Sequence, residues 1–299
     1  MRISTQNLFE MGGARLSDLQ GELARTQLQI SSGRRILVPS DDPAGSARAL
    51  DITQSQSMNT QFGVNRQSAT NALSETEGVL SSVTSLLLDV KTATIAAGNG
   101  ALTDSDRSFL ATELRGRFDE LLGLANARDA LGNYLFSGFQ TATPAFVQTA
   151  GGVQYQGDQG QRLVRVDTAR EMAISQTGTS VFQGNGQDVF RTISDLIVLL
   201  ETPGAPGLTA GLATANSRLE LALDSVLAAR AQGGARLREL GALDDAGGDR
   251  NLLYSSALSD LQDLDYAKAL TQLTQQQTTL EAAQRSFVTV SRLSLFNYL

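Results

Sequence analysis

The sequence predicts a mainly α-helical protein, in which the N- and C-terminal segments form a long coiled-coil-like helical rod and a small β-rich domain is inserted mid-chain. Three observations predict this fold class. Apolar residues recur every seven positions near both ends, as in helices that pack against other helices. Long helical patterns occupy the regions next to these ends. Residues 132–186 lose the helical periodicity and gain Gly, Thr, Val and Phe, which favours strands and turns.

The C-terminal seam is the apolar heptad repeat of the last helical pattern. Its members are Tyr266, Leu273, Leu280 and Phe287, complemented by Ala269, Ala283 and Val290, with Gln276 as the polar exception. Between Tyr266 and Gln284, only Lys268 and Glu281 carry a charge at neutral pH. A helix that faces water is normally covered with Glu and Lys. We therefore interpret this helix as one that assembles with neighbours on several sides.

The N-terminal seam is a second heptad repeat and supplies a candidate partner. It consists of Phe9, Leu16, Leu23 and Ile30, with Leu19 and Thr26 between them. Two terminal helices that pair along these seams would place the chain ends together. The simpler interpretation, that each seam is the core stripe of a globular helical domain, stays open. The low charge of the C-terminal helix favours assembly.

Composition excludes several classes of function. The chain of 299 residues has a net charge of −7 and a pI near 4.8, so it offers no basic stripe for nucleic acid. It contains no Cys and no His, which excludes disulfides, thiol or imidazole catalysis and the usual zinc sites. The remaining residues form no catalytic, cofactor-binding or metal-binding constellation. We expect neither an enzyme nor a cofactor.

Neither a membrane span nor a secretory signal is expected. The longest apolar run is Leu196–Leu200, far shorter than a membrane-spanning helix. The N-terminal residues lack the charged region and the apolar core of a signal peptide. We therefore expect no membrane insertion, and export, if it occurs, by a route without a cleaved signal peptide.

The N-terminal half predicts three helices. The first runs from about Ser4 to Ser31 and stops at Gly33. The second starts with Asp42 as N-cap and Pro43 as first helical residue, and continues to about Ala97. Capping accounts for the acidic pair Asp41–Asp42 more simply than a metal site does. Thr103 or Asp104 caps the third helix, which ends near Leu131.

The remainder predicts strands and then helices again. Strand candidates lie at 146–147, 153–155 and 162–166, with a hairpin turn at 157–160. Helices follow at about 188–200 and from Leu212 onward, and the terminal helix begins at about Tyr254. The glycine pairs 233–234 and 247–248 leave the continuity of the C-terminal helical region in doubt.

These patterns divide the chain into five segments. The expected segments are an N-terminal helix and linker (1–42), the N-terminal half of a helical rod domain (43–136), a β-rich insert (137–187), the C-terminal half of the rod domain (188–253) and a C-terminal helix (254–299).

Several stretches resemble flagellins and flagellar hook-associated proteins. MRISTQ at the start and ISSGRRILVPSDDPAGSARAL at Ile30–Leu50 resemble the start of both. GNYLFSGFQTATPAF at Gly132–Phe146, the stretches ARLRELGALDD and LSDLQDLDYAKAL, and the ending LSLFNYL resemble the hook-associated protein 3 branch. The resemblance covers nearly the whole chain, with the order of the motifs more specific than any one of them.

The resemblance implies an extracellular structural subunit at the hook–filament junction of the bacterial flagellum. The implied partners are hook-associated protein 1, flagellin, further copies of itself in a ring, and a cytoplasmic export chaperone at the C-terminal region. It implies export in the unfolded state by the flagellar type III system. It also implies that the terminal helices form an inner tube, in which the two seams are the assembly contacts. The long helices would form a second layer, and the β insert would face outward.

Two other functions stay open. Flagellin itself would have the same fold with a different role in assembly. A type III translocator that enters a host membrane would need a long apolar hairpin, which the sequence does not show.

Overall fold

The computed structural model describes residues 2–296 and has the fold class that the sequence predicts, mainly α with a small β region. Its elements in chain order are α1 (Arg2–Ser32), α2 (Pro43–Ala97), α3 (Asp104–Ala125), β1 (Phe146–Thr149), β2 (Gly152–Tyr155), β3 (Leu163–Asp167), β4 (Arg170–Ala173), α4 (Gly178–Phe182), α5 (Val189–Glu201), α6 (Leu208–Gln262) and α7 (Tyr266–Phe296).

The chain divides into two compact units. The first unit combines Met1–Met58 with Asp249–Leu299, and the second comprises Asn59–Gly248. The first unit therefore contains both the first and the last helix, which contact each other.

The core of the second unit forms where α3 packs against α5. The buried residues of α3 recur at helical spacing, which gives the helix one apolar face. They are Ala111, Leu114, Phe118, Leu121 and Ala125. Thr103 caps this helix in a reciprocal capping box with Asp106. The same core contains the second half of α2 and the first half of α6.

An aromatic cluster connects the strands to this helical core. Phe146 of β1 lies with its ring centroid 5.0 Å from that of Phe190 in α5 and 5.4 Å from that of Phe182 in α4. Phe136 packs edge-on against Phe182 at 5.3 Å. These side chains are almost fully buried, so the cluster packs β1 against the helical core.

Helix α3 ends earlier than predicted, at Ala125 rather than near Leu131. The cause is Asn126, the C-cap residue. Its side chain accepts a hydrogen bond from Phe146 N at 2.9 Å and donates one to Phe146 O at 2.7 Å. This amide pairs with β1 as a neighbouring strand would, and a further turn of helix would remove it from that position.

The β region consists of two separate antiparallel hairpins, β1–β2 and β3–β4. The predicted hairpin turn at 157–160 is wrong, because this segment joins the two hairpins and β2 does not pair with β3. The Asp158 carboxylate organises the segment by accepting hydrogen bonds from Phe139 N and Gly160 N. The sequence does not predict strand β4, since its residues REMA are not typical of a strand.

The continuity of α6 is a second correction. The helix runs unbroken through both glycine pairs and ends at Gln262, so the terminal helix begins at Tyr266 and not at Tyr254. Gly247 has a packing role. A Cβ at this position would lie 2.3 Å from Arg66 Nη2. The buried Arg66 uses that space to reach Asp244 at 3.0 Å and the carbonyl of Val166 in β3 at 3.2 Å.

One helix among the described residues, α2, is long and apolar enough in one window to cross a membrane by length and composition alone. The expectation that no stretch has this property is therefore wrong, because it considered uninterrupted apolar runs and not the average over a helix. A third of the window is buried inside the protein. Leu80, Val83, Leu87 and Val90 of α2 belong to the core of the second unit, which accounts for much of this apolar character.

Replacing Gly247 by Ala should destabilise the protein by about 1–3 kcal/mol, because the added methyl group displaces a buried guanidinium from its partners. Gly248→Ala is the matched control, since nothing lies within 4 Å of its Cβ position. This neighbouring change should be neutral or stabilise the helix by up to about 1 kcal/mol. Urea unfolding measures both, and equal effects of the two changes would contradict the packing role of Gly247.

Candidate assembly interface

Helices α1 and α7 pack against each other as an antiparallel pair in the first unit. In the N-terminal seam, Leu19 and Thr26 are buried. On α7, Ala269 is buried. Most other seam residues are half-buried: Leu16, Leu23, Ile30, Leu273, Leu280 and Phe287. Phe9, Tyr266 and Val290 are exposed. The structure thus places the two predicted seams in one interface.

An aromatic contact and a groove lie at the end of the pair where α1 begins and α7 ends. The ring centroids of Phe9 and Phe287 lie 4.8 Å apart in an edge-on arrangement. Beside them, the side chains of Leu16, Ala283 and Val290 line an open apolar groove, the terminal groove, together with Gly12, Arg15 and Ser286. Two helices alone do not close this surface.

Apolar residues also lie on the outward faces of both helices. The exposed fractions are 72% for Met11, 59% for Leu28, 52% for Leu270 and 47% for Val288. Single exposed apolar side chains are ordinary on protein surfaces. Here they occur on a pair whose C-terminal member carries very few charges, and burying each one fully would stabilise an assembly by about 1.5–3 kcal/mol. The pair therefore offers apolar surface in several directions.

One seam position is unfavourable in the single chain. Gln276 carries a side-chain oxygen, Oε1, that is shielded from solvent and has no hydrogen-bond partner in the structure. A buried polar atom without a partner costs about 1–3 kcal/mol. This residue weakens the pair, so α1 and α7 are held together less tightly than a fully apolar seam would hold them.

The breaks that precede α7 and follow α1 lie side by side and are joined by backbone hydrogen bonds. Gly33 ends α1 with a positive φ of 70°. Its carbonyl accepts a hydrogen bond from Leu264 N at 3.0 Å, and Arg35 N donates to Gln262 O at 2.7 Å. The Arg35 guanidinium also donates to Leu261 O at 2.8 Å. We call this segment, residues 33–42 with 261–265, the joint.

Two adjacent aspartates organise the joint in different ways. The Asp42 carboxylate precedes α2, which begins at Pro43, and accepts a hydrogen bond from Gly45 N at 2.8 Å in the position of an N-cap. The Asp41 carboxylate accepts from Leu37 N at 2.9 Å and forms an ion pair with Arg25 of α1. No group of three potential metal ligands occurs among the residues that the structure describes.

These hydrogen bonds favour the charged form of both aspartates. The backbone amide of Leu37 lowers the pKa of Asp41, with further contributions from Val38 and Arg25. The amide of Gly45 lowers the pKa of Asp42, followed by the Arg35 side chain. A lowered pKa in the folded state means that the stabilisation is complete above the unfolded carboxyl pKa and is lost as the pH falls through the folded value.

The predicted seams do not include the two glycines of the interface, Gly12 and Gly33. Gly12 lies against Phe287, where an added Cβ would be 2.8 Å from two ring carbons. Gly33 lies against Tyr266, where a Cβ would be 2.9 Å from the hydroxyl oxygen. Both glycines occupy the heptad position of Leu19 and Thr26, so the spacing alone could have revealed them.

The double variant Asp41→Asn with Asp42→Asn should unfold at a lower urea concentration than the wild type at neutral pH. Its disadvantage should shrink progressively below about pH 4 and vanish once the pH falls below the lowered pKa values of the folded wild-type carboxylates. Circular dichroism across the pH range measures the gap between the two proteins. A gap that stays constant down to about pH 3 would contradict the charge-based role. A chelator should not change the urea midpoint of the wild-type protein. If the two aspartates bound a metal ion, the chelator would lower this midpoint.

Comparisons with known proteins agree with this architecture. The family model of the bacterial flagellin N-terminal helical region matches residues 3–141. Flagellar hook-associated protein 3 of Salmonella typhimurium is 35% identical over 99% of this chain and 99% of its own length. Among solved structures, a flagellar hook-associated protein from Vibrio parahaemolyticus superposes with a TM-score of 0.70 at 29% identity, covering 75% of this chain and all of that one.

The flagellar junction protein FlgL from Legionella pneumophila has the same fold. It superposes with a TM-score of 0.62 at 21% identity and covers 72% of this chain and all of its own. The Salmonella protein aligns from end to end, so the similarity includes both terminal helices and the β region. This chain belongs to the flagellar hook-associated protein 3 family of structural proteins, which are components of the bacterial flagellum outside the cell.

Proposed function

We propose that this protein forms the junction between the flagellar hook and the flagellin filament, and that its terminal helices hold it there. The observation that carries the proposal is the α1–α7 pair, whose surface is apolar on several sides while its own seam is only partly buried. The full-length similarity to hook-associated protein 3 supports the location. Further copies of the chain would supply the missing partners and close into a ring.

The assembly follows from the surface of the pair. Apolar side chains on the outward faces, such as Met11 and Leu270, stabilise contacts with α1–α7 pairs of neighbouring copies. The small number of charges on α7 lets this helix pack closely against several others without desolvating many ions. An inner tube of such pairs would then lie between hook-associated protein 1 on one side and flagellin on the other. The β-rich insert, 137–187, would form the outer part of the assembly.

The proposed segments follow the sequence division into 1–42, 43–136, 137–187, 188–253 and 254–299. The joint refines this division, because the terminal helix α7 starts at Tyr266. In functional terms, α1 and α7 are the assembly part, and the seam residues Phe9 to Ile30 and Tyr266 to Val290 are its contacts. The helix cap at Asp42 and Pro43 starts the helix that leads into the second unit.

Export and protection before assembly complete the proposal. A chain without Cys forms no disulfide that would obstruct passage through a narrow channel in the unfolded state. In the cytoplasm, the apolar surface of α7 would favour premature association. A chaperone that binds the C-terminal region would cover it until export.

Flagellin is the second candidate, with the same fold and a different position in the filament. The flagellin family model matches the N-terminal region, 3–141, whereas the similarity to hook-associated protein 3 extends over the whole chain. The junction assignment therefore accounts for the C-terminal helices as well.

Immunogold labelling of intact and sheared flagella tests the junction directly. Antibodies against the second unit should label one band where the hook meets the filament. Labelling along the entire filament would show that the protein is the filament subunit. Quantification of sheared filaments gives the same distinction, because a junction protein is a trace component and flagellin is the bulk.

Leu273→Asp should produce a soluble protein that does not retain a filament on the hook. Leu273 is half-buried in the middle of the C-terminal seam, so Asp can reach water in the free chain but not inside a packed tube. Cells with this variant should export the protein, release flagellin into the medium and swim poorly. Motility and flagellin in the culture supernatant measure the effect.

Two controls separate assembly from folding. Val166→Asp places a charge at a fully buried position of the second unit, and it should lower the melting temperature of the purified protein strongly. Leu163→Asp, at a position that is 60% exposed on the same strand, should melt like the wild type. If Leu273→Asp melts as poorly as Val166→Asp, the terminal helices belong to a globular core and the assembly role is wrong.

A further inference from the structure

A heptad seam by itself does not define which residues of two helices face each other. Along both α1 and α7 the apolar positions repeat every seven residues, so shifting one helix by seven positions again brings apolar rows together. A helix pair that must present ordered rows of contacts to its neighbours needs an additional feature that distinguishes the correct register from the shifted ones.

Two glycine–aromatic contacts provide such a feature. The Phe287 ring lies against Gly12, where an added Cβ would be 2.8 Å from two ring carbons. The Tyr266 hydroxyl lies 2.9 Å from the Cβ position of Gly33, whose positive φ of 70° also favours glycine. Twenty-one residues, or three heptads, separate the two glycines, and the same number separates the two aromatic residues. Both contacts therefore belong to one antiparallel register.

The same counting identifies the other facing positions. Leu19 faces Leu280, Thr26 faces Leu273 and Leu16 faces Ala283, and the last two residues indeed line the same groove. In three of these facing pairs, a large side chain of one helix meets a small residue of the other. The pairs are Gly12 with Phe287, Gly33 with Tyr266, and Leu16 with Ala283. Large and small side chains therefore alternate between the two helices, as close packing requires.

A shift by one heptad destroys this match. In one direction Phe287 would face Leu19, and in the other Tyr266 would face Thr26. Each aromatic ring would then meet a larger side chain instead of a glycine. Overpacking of this kind forces the helices apart.

We propose that Gly12 and Gly33 are register-determining residues, which accept Phe287 and Tyr266 and thereby select one alignment of α1 with α7 for assembly. The inference rests on the proposed role of this pair in the junction. Gly33 acts beside the joint, where backbone hydrogen bonds also hold the chain. Gly12 acts three heptads further along and keeps the far end of the pair, with the terminal groove, in the same alignment.

Disulfide trapping measures the register in the purified full-length chain, which has no native Cys. Leu16→Cys with Ala283→Cys reports the native register. Leu16→Cys with Gln276→Cys, and Leu16→Cys with Val290→Cys, report shifts by one heptad in either direction. Under mild oxidation the native pair should cross-link several-fold faster than either shifted pair.

Gly12→Ala in these backgrounds should slow the native cross-link several-fold, because the new methyl group displaces Phe287. Gly13→Ala is the matched control, since nothing lies within 4 Å of its Cβ position. Ala favours helix over Gly at both positions, so a role in helix stability alone would make the two variants equal. Adding Phe287→Leu to Gly12→Ala should restore the native cross-link by making room for the methyl group.

Each outcome bears on one claim. Equal cross-linking of Gly12→Ala and Gly13→Ala, with the second unit folded by circular dichroism, would overturn the register proposal. It would leave the junction role intact, because that role is tested by the labelling of flagella. Filament-wide labelling together with a Gly12-dependent register would instead refute the junction and retain the register.

Discussion

The pairing of the first helix with the last is the interaction on which the rest of the structure depends. Because α1 and α7 lie in one unit, the chain must leave this pair through α2 and return to it through α6. Both connections run through the joint. There Leu264 N donates a hydrogen bond to Gly33 O, and Arg35 N donates one to Gln262 O. The β hairpins can be accommodated in between, because everything from Asn59 to Gly248 forms its own compact unit with its own core.

The two units reflect different sources of stability. The second unit buries aromatic and aliphatic side chains on all sides, with Phe146, Phe190 and Ile193 almost fully enclosed. The α1–α7 pair buries a single seam, includes the unsatisfied Gln276 and exposes apolar residues outward. Most of the stability of a helix in a protein comes from packing of its apolar face, so this pair gains most from further copies. The difference lets one chain be stable on its own in one part and dependent on assembly in the other.

The local patterns of the chain were sufficient to predict its long helices and the apolar seams of the first and last helix. The heptads of Leu16 and Leu280 are visible in the sequence, and so is the helix start at Asp42 and Pro43. The features that the sequence did not predict depend on contacts between residues that are far apart in the sequence. The end of α3 is set by the bond between Asn126 and Phe146, twenty residues later. The same holds for Gly247, whose tolerance in α6 depends on Arg66 in another helix.

Amide hydrogen exchange tests the central claim most directly, that the α1–α7 pair is completed by assembly. It compares the free protein with isolated hook–filament junctions, residue range by residue range. If assembly completes the pair, amides of α1 and α7 should exchange much faster than those of α3 and α5 in the free protein. They should become strongly protected in the junction, while the β3–β4 hairpin changes little. Terminal helices that are already as protected as α3 and α5 in the free protein, with no gain on assembly, would contradict it.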